Sequence, residues 1–213
     1  MPQNSLKYEI QHVLSGKSQV GHGALIQAVA SYLKASTPAG AVVEADQQYK
    51  QQETARLVEY AEQNEFWVNG ISFSNFVSAG AEQRVYIKDG RSVYKLNDSI
   101  YYASWVDYLH NLLLNNFFFP DTAYQLVGFY RQENTLYAVV TQPFVRANQP
   151  TDLSLVKAFM NNNGFENTRN HDYYNPELGI ILEDLHDENV LTQNGILFFI
   201  DTVFYVKPEV VWT

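Results

Sequence analysis

The stretch LGIILEDLHDENVLTQNGILFFID, residues 178–201, decides how this chain is read. Its Asn194-Gly195 pair stands between the apolar residues Val190-Leu191 and Ile196 to Ile200, and Asn-Gly is the dipeptide that a tight two-residue hairpin prefers. The last apolar strand ends in a carboxylate, Asp201, ten residues after Leu191. Upstream of the hairpin, Asp184 precedes Asn189 by five residues. From His171 to Val206 there is no Lys or Arg, yet Asp172, Glu177, Glu183, Asp184, Asp187, Glu188 and Asp201 all fall there. Carboxylates without partners in the sequence need either water or a hard cation, whose preferred ligands are oxygens.

Working outward, the texture from Asn69 onward is β-branched and aromatic in short alternating runs, which predicts a sheet. Asp89-Gly90, between Arg84–Lys88 and Arg91–Leu96, predicts a two-residue hairpin with positive φ angles. A helix is expected across SWVDYLHNLLLNN with Ser104 as its cap, stopped by Pro120. A second hairpin is expected about Glu133-Asn134, and a short helix starts at Thr151 or Asp152 and stops at Gly164. Before the sheet, residues 1 to about 68 read as helices: SLKYEIQHVL, HGALIQAVASYLKAS and QQETARLVEYAEQNEFWV, with Leu57, Tyr60, Ala61 and Phe66 on one face. Thr37-Pro38-Ala39-Gly40 interrupts that region. The expected division is a helical region over 1–68 and a second unit over 69–213.

The chain has 213 residues, 46% apolar and 15% aromatic, enough for one principal core. It has no cysteine, which excludes disulfides, thiolate metal sites and a cysteine nucleophile, and fits a cytoplasmic protein. No apolar run reaches the roughly 18 residues of a membrane span, and the start lacks the features of a signal peptide. Fourteen Lys plus Arg against 23 Asp plus Glu give a net charge of −9, which argues against direct nucleic-acid binding. His186-Asp187-Glu188 has no second histidine pair to complete a metal centre, and no GxSxG elbow supports a hydrolase.

Read in order, the parts after Asn69 are strand, small-residue loop, strand, hairpin, strand with a lysine, helix, hairpin, linker, helix, acidic loop and final hairpin. That order resembles the protein kinases. Against their glycine-rich loop, Ser78–Val85 keeps Gly80 and Val85, while Gln83 stands at the third glycine position. Lys95 lies on the strand after the hairpin and shares a face with Val93, under the expected loop. Asp184, Asn189 and Asp201 have the spacing of a catalytic loop followed by a metal-binding Asp. More narrowly, the chain is similar to the small kinase-like domains of the polyvalent proteins of bacterial phages and conjugative elements. LGIILEDLHDENVLTQNGILFFID, SVYKLND and LLNNFFFPDTAYQLVGF carry that likeness, over residues 69–206 and the helical region as well.

The resemblance implies an α+β, protein-kinase-like fold with an antiparallel sheet, a reduced C-terminal lobe and a helical N-terminal region. It implies a phosphotransferase using ATP and Mg2+ on Ser, Thr or Tyr of a protein substrate. Carried over residue by residue, Gly80 and Ala81 belong to the nucleotide loop, Lys95 contacts phosphate, and Gln142 passes the adenine. Asp184 takes the catalytic role, and Asn189 and Asp201 hold metal. The chain also departs from the kinase pattern. Leu182 replaces the usual catalytic-loop histidine, and Thr202-Val203 follows Asp201 in place of Phe-Gly. No glutamate lies between Asp98 and Glu133, so the helix partner of Lys95 is Asp107 or is missing. Only 12 residues follow Asp201, too few for an ordinary activation segment. These departures sustain a second reading: an inactive kinase-like binding module that acts through partner proteins.

Overall fold

Apolar residues spaced by three and four produce the helices that open the fold. The computed structural model describes residues 3–35, 46–80 and 83–207. Helices α1 (Gln3–Leu14), α2 (Ala24–Ala35) and α3 (Asp46–Gln63) follow the three periodic stretches. Leu57 and Ala61 are fully buried along α3 and Tyr60 is half-buried beside them, as their spacing requires. The Thr37–Gly40 interruption lies outside the described residues.

Two-residue alternation gives the main sheet, whose strands are β1 (Phe76–Ala79), β2 (Gln83–Ile87), β3 (Ser92–Asn97), β4 (Gln125–Gln132) and β5 (Thr135–Pro143). Their order across the sheet is β1-β2-β3-β5-β4, all antiparallel. Strand β5 lies between β3 and β4 and is buried on both faces. Leu136, Ala138 and Val140 face the helices, while Tyr137 and Val139 join Ile71, Tyr86 and Leu96 on the other side.

The main sheet starts at Phe76, later than the texture suggested, and α3 stops at Gln63, so Phe66 to Val68 are not helical as expected but run beside β4. Trp67 bridges Phe129 in parallel, with Val68 N–H donating to the Phe129 carbonyl and Phe129 N–H to the Phe66 carbonyl, both at 2.8 Å. This covers the open edge of β4. The backbones meet at Gly128, where a Cβ would lie 2.2 Å from the Phe66 carbonyl oxygen.

The β2–β3 hairpin forms, but its turn is not the expected one. Gly90 is not among the residues with positive φ. Instead the Asp89 carboxylate accepts from Arg91 N–H and Ser92 N–H at 2.7 and 2.9 Å and from the Ser92 hydroxyl at 2.8 Å. A side-chain-stapled loop of residues 88–91 replaces the two-residue turn. The Glu133-Asn134 and Asn194-Gly195 hairpins pair as expected, Gln132 with Thr135 and Gln193 with Ile196.

Helix α4 (Trp105–Phe118) crosses behind the main sheet, capped by Ser104, whose hydroxyl accepts from Asp107 N–H at 3.0 Å. Helix α5 (Leu153–Asn162) is capped by Asp152, while Thr151 turns away to Val190 and Thr192. It ends at Gly164, φ 79°, with Phe165 N–H on the Met160 carbonyl. Strands β6 (Glu166–Arg169), β7 (Asp172–Asn175) and β8 (Ile180–Glu183) form a second antiparallel sheet with β11 (Val203–Val206), which pairs with β8. Strands β9 (Val190–Gln193) and β10 (Ile196–Phe199) form the hairpin between them.

Helix α4 contributes to two cores. Leu109, Leu112 and Leu113 pack with α2, α3 and the main sheet, whereas Leu114 packs with Ile10, Val156, Met160, Ile180 and Phe204. Helix α3 grips the start of α4. Lys50 Nζ donates to the Ser99 and Tyr102 carbonyls, Glu53 accepts from Trp105 N–H at 2.7 Å, and Thr54 accepts from the Trp105 indole at 2.9 Å. Glu53 is wholly buried and its other oxygen has no hydrogen-bond partner, so burial pushes its carboxyl up to about 7.

Two outcomes follow from this packing. Gly128→Ala should destabilise the protein by about 1–3 kcal/mol in denaturant melts, since the added methyl meets fixed backbone. A group whose proton is held more tightly in the folded state stabilises below its unfolded pKa and loses that contribution as pH rises through the folded one. The wild-type thermal midpoint should therefore fall between pH 4.5 and about 7, and fall less in Glu53→Gln.

Candidate active site

Strand β3 turns Val93 and Lys95 to the same face, where both line a cavity of about 560 Å³ between the main sheet and the acidic loops. That volume is within the roughly 300–1,000 Å³ of small-molecule sites. Lys95 is only 4% exposed, so it is no ordinary surface lysine. Its Nζ donates to the Ile200 carbonyl at 2.7 Å and lies 5.5 Å from the centre of the Tyr124 ring. Burial holds its ammonium below the usual lysine range, and the Asp201 carboxylate acts in the opposite sense.

The β1–β2 loop forms the roof. Ser78, Ala79 and Gly80 line the cavity, and Gly80 N–H donates to the Gln83 carbonyl at 3.0 Å. Ala81 lies outside the described residues. Gln83 does more than stiffen the loop, since its side-chain amide donates to Asp201 Oδ2 and ties the roof to the floor.

The floor comes from the stretch 178–201. Asp184 follows β8 with φ 67°, a left-handed conformation that Asp tolerates better than most residues. Its N–H donates to Asp172 at 3.1 Å, and His186 Nε2 lies 3.2 Å from its Oδ1. Asn189 Nδ2 donates to both the Asp184 carbonyl and Asp184 Oδ2 at 2.9 Å. Both bonds use the amide nitrogen, so neither consumes Asn189 Oδ1, the atom a cation requires. Asp201 completes the floor opposite Lys95. Gly80, Lys95, Gln142, Asp184, Asn189 and Asp201 thus all line one cavity.

Gln142, near the end of β5, is 2% exposed, and its side-chain amide donates to the Thr122 carbonyl at 2.8 Å. Pro143, Phe144 and Val145 continue the cavity wall beyond it. Asp107 is not the partner of Lys95. Its carboxylate accepts from the Ser104 hydroxyl at 2.7 Å in the cap of α4, and the opposite charge acting on Lys95 is Asp201. Sequence reasoning also missed what holds Asp201 in place. Tyr124 hydroxyl donates to the Ile200 carbonyl at 2.9 Å, and Asn111 and Asn115 of α4 bond to Phe204 N–H and the Thr202 hydroxyl, each at 2.8 Å. The signal was present as polar residues interrupting the apolar run of α4.

Among the described residues no three His, Cys, Asp or Glu side chains converge as a self-sufficient metal group. A donor set of Asn189 and Asp201 suits Mg2+, which typically binds through one or two protein oxygens and completes its shell with water and phosphate. Asp184, Glu188 and Asp201 line this cavity together with Lys95, so its carboxylates outnumber its lysine.

A family model described as "Serine/Threonine/Tyrosine Kinase found in polyvalent proteins" matches residues 50–208. The chain belongs to that family. Comparison with curated proteins and with solved structures gives no match. The match to this polyvalent-protein kinase family takes in α3 from Lys50 onward, so the residues that grip α4 lie inside it. No helix among the described residues is long and apolar enough to cross a membrane.

Losing the roof-to-floor bond should loosen the loop. Gln83→Met keeps the side-chain length but removes the donor, and the amides of 76–80 should exchange about tenfold faster by hydrogen-exchange mass spectrometry.

Proposed function

We propose that this protein is an Mg-ATP-dependent phosphotransferase with a protein-kinase-like fold, acting on a hydroxyl of a protein substrate. The observation that carries this reading is a buried lysine across one cavity from Asp184, Asn189 and Asp201, under a loop of small residues. A scaffold has no physical need to bury an ammonium beside a cation-suited oxygen set, because burying charge is costly unless a partner balances it. The strand order of the main sheet and the return of β11 to β8 around the acidic loop agree with the kinase resemblance. Membership of the polyvalent-protein kinase family supports the reaction class, and a cytoplasmic setting in a bacterial mobile element belongs to the same reading. The helical segment over 1–68 then buttresses a catalytic unit over 69–213.

In this reading Ser78 to Gly80 approach the phosphates with backbone amides and Lys95 supplies positive charge to them. Asn189 and Asp201 would hold the cation, which would supply charge neutralisation to the phosphates. Asp184 orients the acceptor hydroxyl and takes its proton as the oxygen bonds to the γ-phosphorus and ADP departs. Asp184 Oδ1 lies against His186, and Leu182 stands in place of the usual catalytic-loop histidine. Gln142 fixes the end of β5 beside the base.

The test is the thermal midpoint with ATP, with Mg2+ and with both. Saturating ATP and Mg2+ together should raise it by about 5 °C or more, since a ligand bound only by the folded state stabilises it. Lys95→Ala and Asp201→Asn should abolish the rise while remaining folded. No rise in the wild type, or a full rise in both variants, would overturn the reading and favour a module that works through partners.

A further inference from the structure

The floor of the cavity is held from behind by a buried polar bracket. Thr202, next to Asp201, is 2% exposed, and its hydroxyl donates to Asn115 Oδ1 at 2.8 Å. Asn115 is wholly buried, and its Nδ2 donates to the Thr122 carbonyl at 3.2 Å, which fixes which end of the amide faces Thr202. Thr122 in turn donates through its hydroxyl to the Phe199 carbonyl at 2.5 Å. The chain Thr202–Asn115–Thr122–Phe199 therefore holds a side chain on one side of Asp201 and a backbone carbonyl on the other. Between them the Ile200 carbonyl accepts from Lys95 and Tyr124, and beyond them Asn111 accepts from Phe204 N–H.

Packing alone does not call for this arrangement. Helix α4 is otherwise apolar where it meets β11, and valine with leucine would fill comparable space without the risk of unpaired buried polar groups. What the hydrogen bonds add is direction, because they have narrow geometry where apolar contacts slide. We infer that Thr202 and Asn115 are positioning residues that hold the Asp201 carboxylate at the place where a divalent cation is bound with nucleotide. The inference rests on the proposed role of Asp201 as a cation ligand. It adds that α4 acts on the cation site through hydrogen bonds to the Thr202 hydroxyl and the Phe204 N–H, rather than through a carboxylate partner for Lys95. Because α3 caps α4 through Glu53, the same route joins the helical region to the site.

The experiment measures ATP affinity by calorimetry with and without Mg2+ for wild type, Thr202→Val, Thr202→Ala and Thr202→Ser. Mg2+ should tighten ATP binding in the wild type. Thr202→Val and Thr202→Ala, which lack the hydroxyl, should lose about tenfold of that Mg2+-dependent gain, with ATP affinity in the absence of Mg2+ within about twofold of wild type. Thr202→Ser, which keeps the hydroxyl, should restore most of the gain. Should one hydroxyl-free variant fail to fold, the other carries the test. A full gain in the hydroxyl-free variants, or an equal loss in Thr202→Ser, overturns the positioning role and leaves the cation site standing. Equal loss with and without Mg2+ marks general disruption and also overturns it. ATP binding without any Mg2+-dependent gain in the wild type removes the cation site itself, and the inference with it.

Discussion

The ammonium of Lys95 is carried on a central strand, removed from water, and must be surrounded by oxygen. It is bonded to the Ile200 carbonyl beside Asp201, so the main sheet meets the segment joining β10 to β11 at this charge. Removing water from an ammonium costs several kcal/mol unless nearby dipoles and opposite charge offset it. The carbonyl, the Tyr124 ring and the Asp201 carboxylate together supply that compensation. These groups tie β3 to the segment between β10 and β11 beside the cavity that Lys95 lines.

Helix α4 makes that junction rigid. It belongs to both large cores, and its three buried asparagines bond to backbone or side-chain groups on segments distant in sequence. Asn116 donates to the Gly21 and Tyr124 carbonyls and accepts from Tyr124 N–H, while Asn111 and Asn115 reach Phe204 and Thr202. Apolar surface drives the helix into place, and the asparagines select one angular setting among those that apolar packing would tolerate. A buried carboxylate from α3 at the N-terminus of α4 completes the support by accepting from its first N–H group.

Electrostatics explains why the acidic loops tolerate one another. Asp172 accepts from Asp184 N–H, and Asp184 accepts from Asn189, so these two carboxylates have local donors even though the stretch contains no Lys or Arg. Glu183 has no such help, and burial with its neighbours Asp172 and Asp184 raises its carboxyl above the usual range. The floor of the cavity is thus acidic by construction.

Much of this was legible in the residues. The helices, the three hairpins, the caps at Ser104 and Asp152 and the stop at Gly164 follow from local chemistry acting over a few residues, which a sequence displays directly. The gathering of Lys95, Asp184, Asn189 and Asp201 was legible through spacing and resemblance. The turn at Asp89-Gly90 was misread because a carboxylate that can staple three donors outweighed the glycine's freedom. Asp107 was a candidate partner for Lys95 on the strength of helix order alone, but a cap one turn away claimed it. Local periodicity and turn chemistry therefore determined the elements and the identity of the polar residues available to the site. Only the tertiary structure decided which of them meet: Gln83 with Asp201, Thr202 with Asn115, and Glu53 with Trp105. Those pairings depend on the distance and burial of groups some 50 to 120 residues apart, which no local pattern encodes.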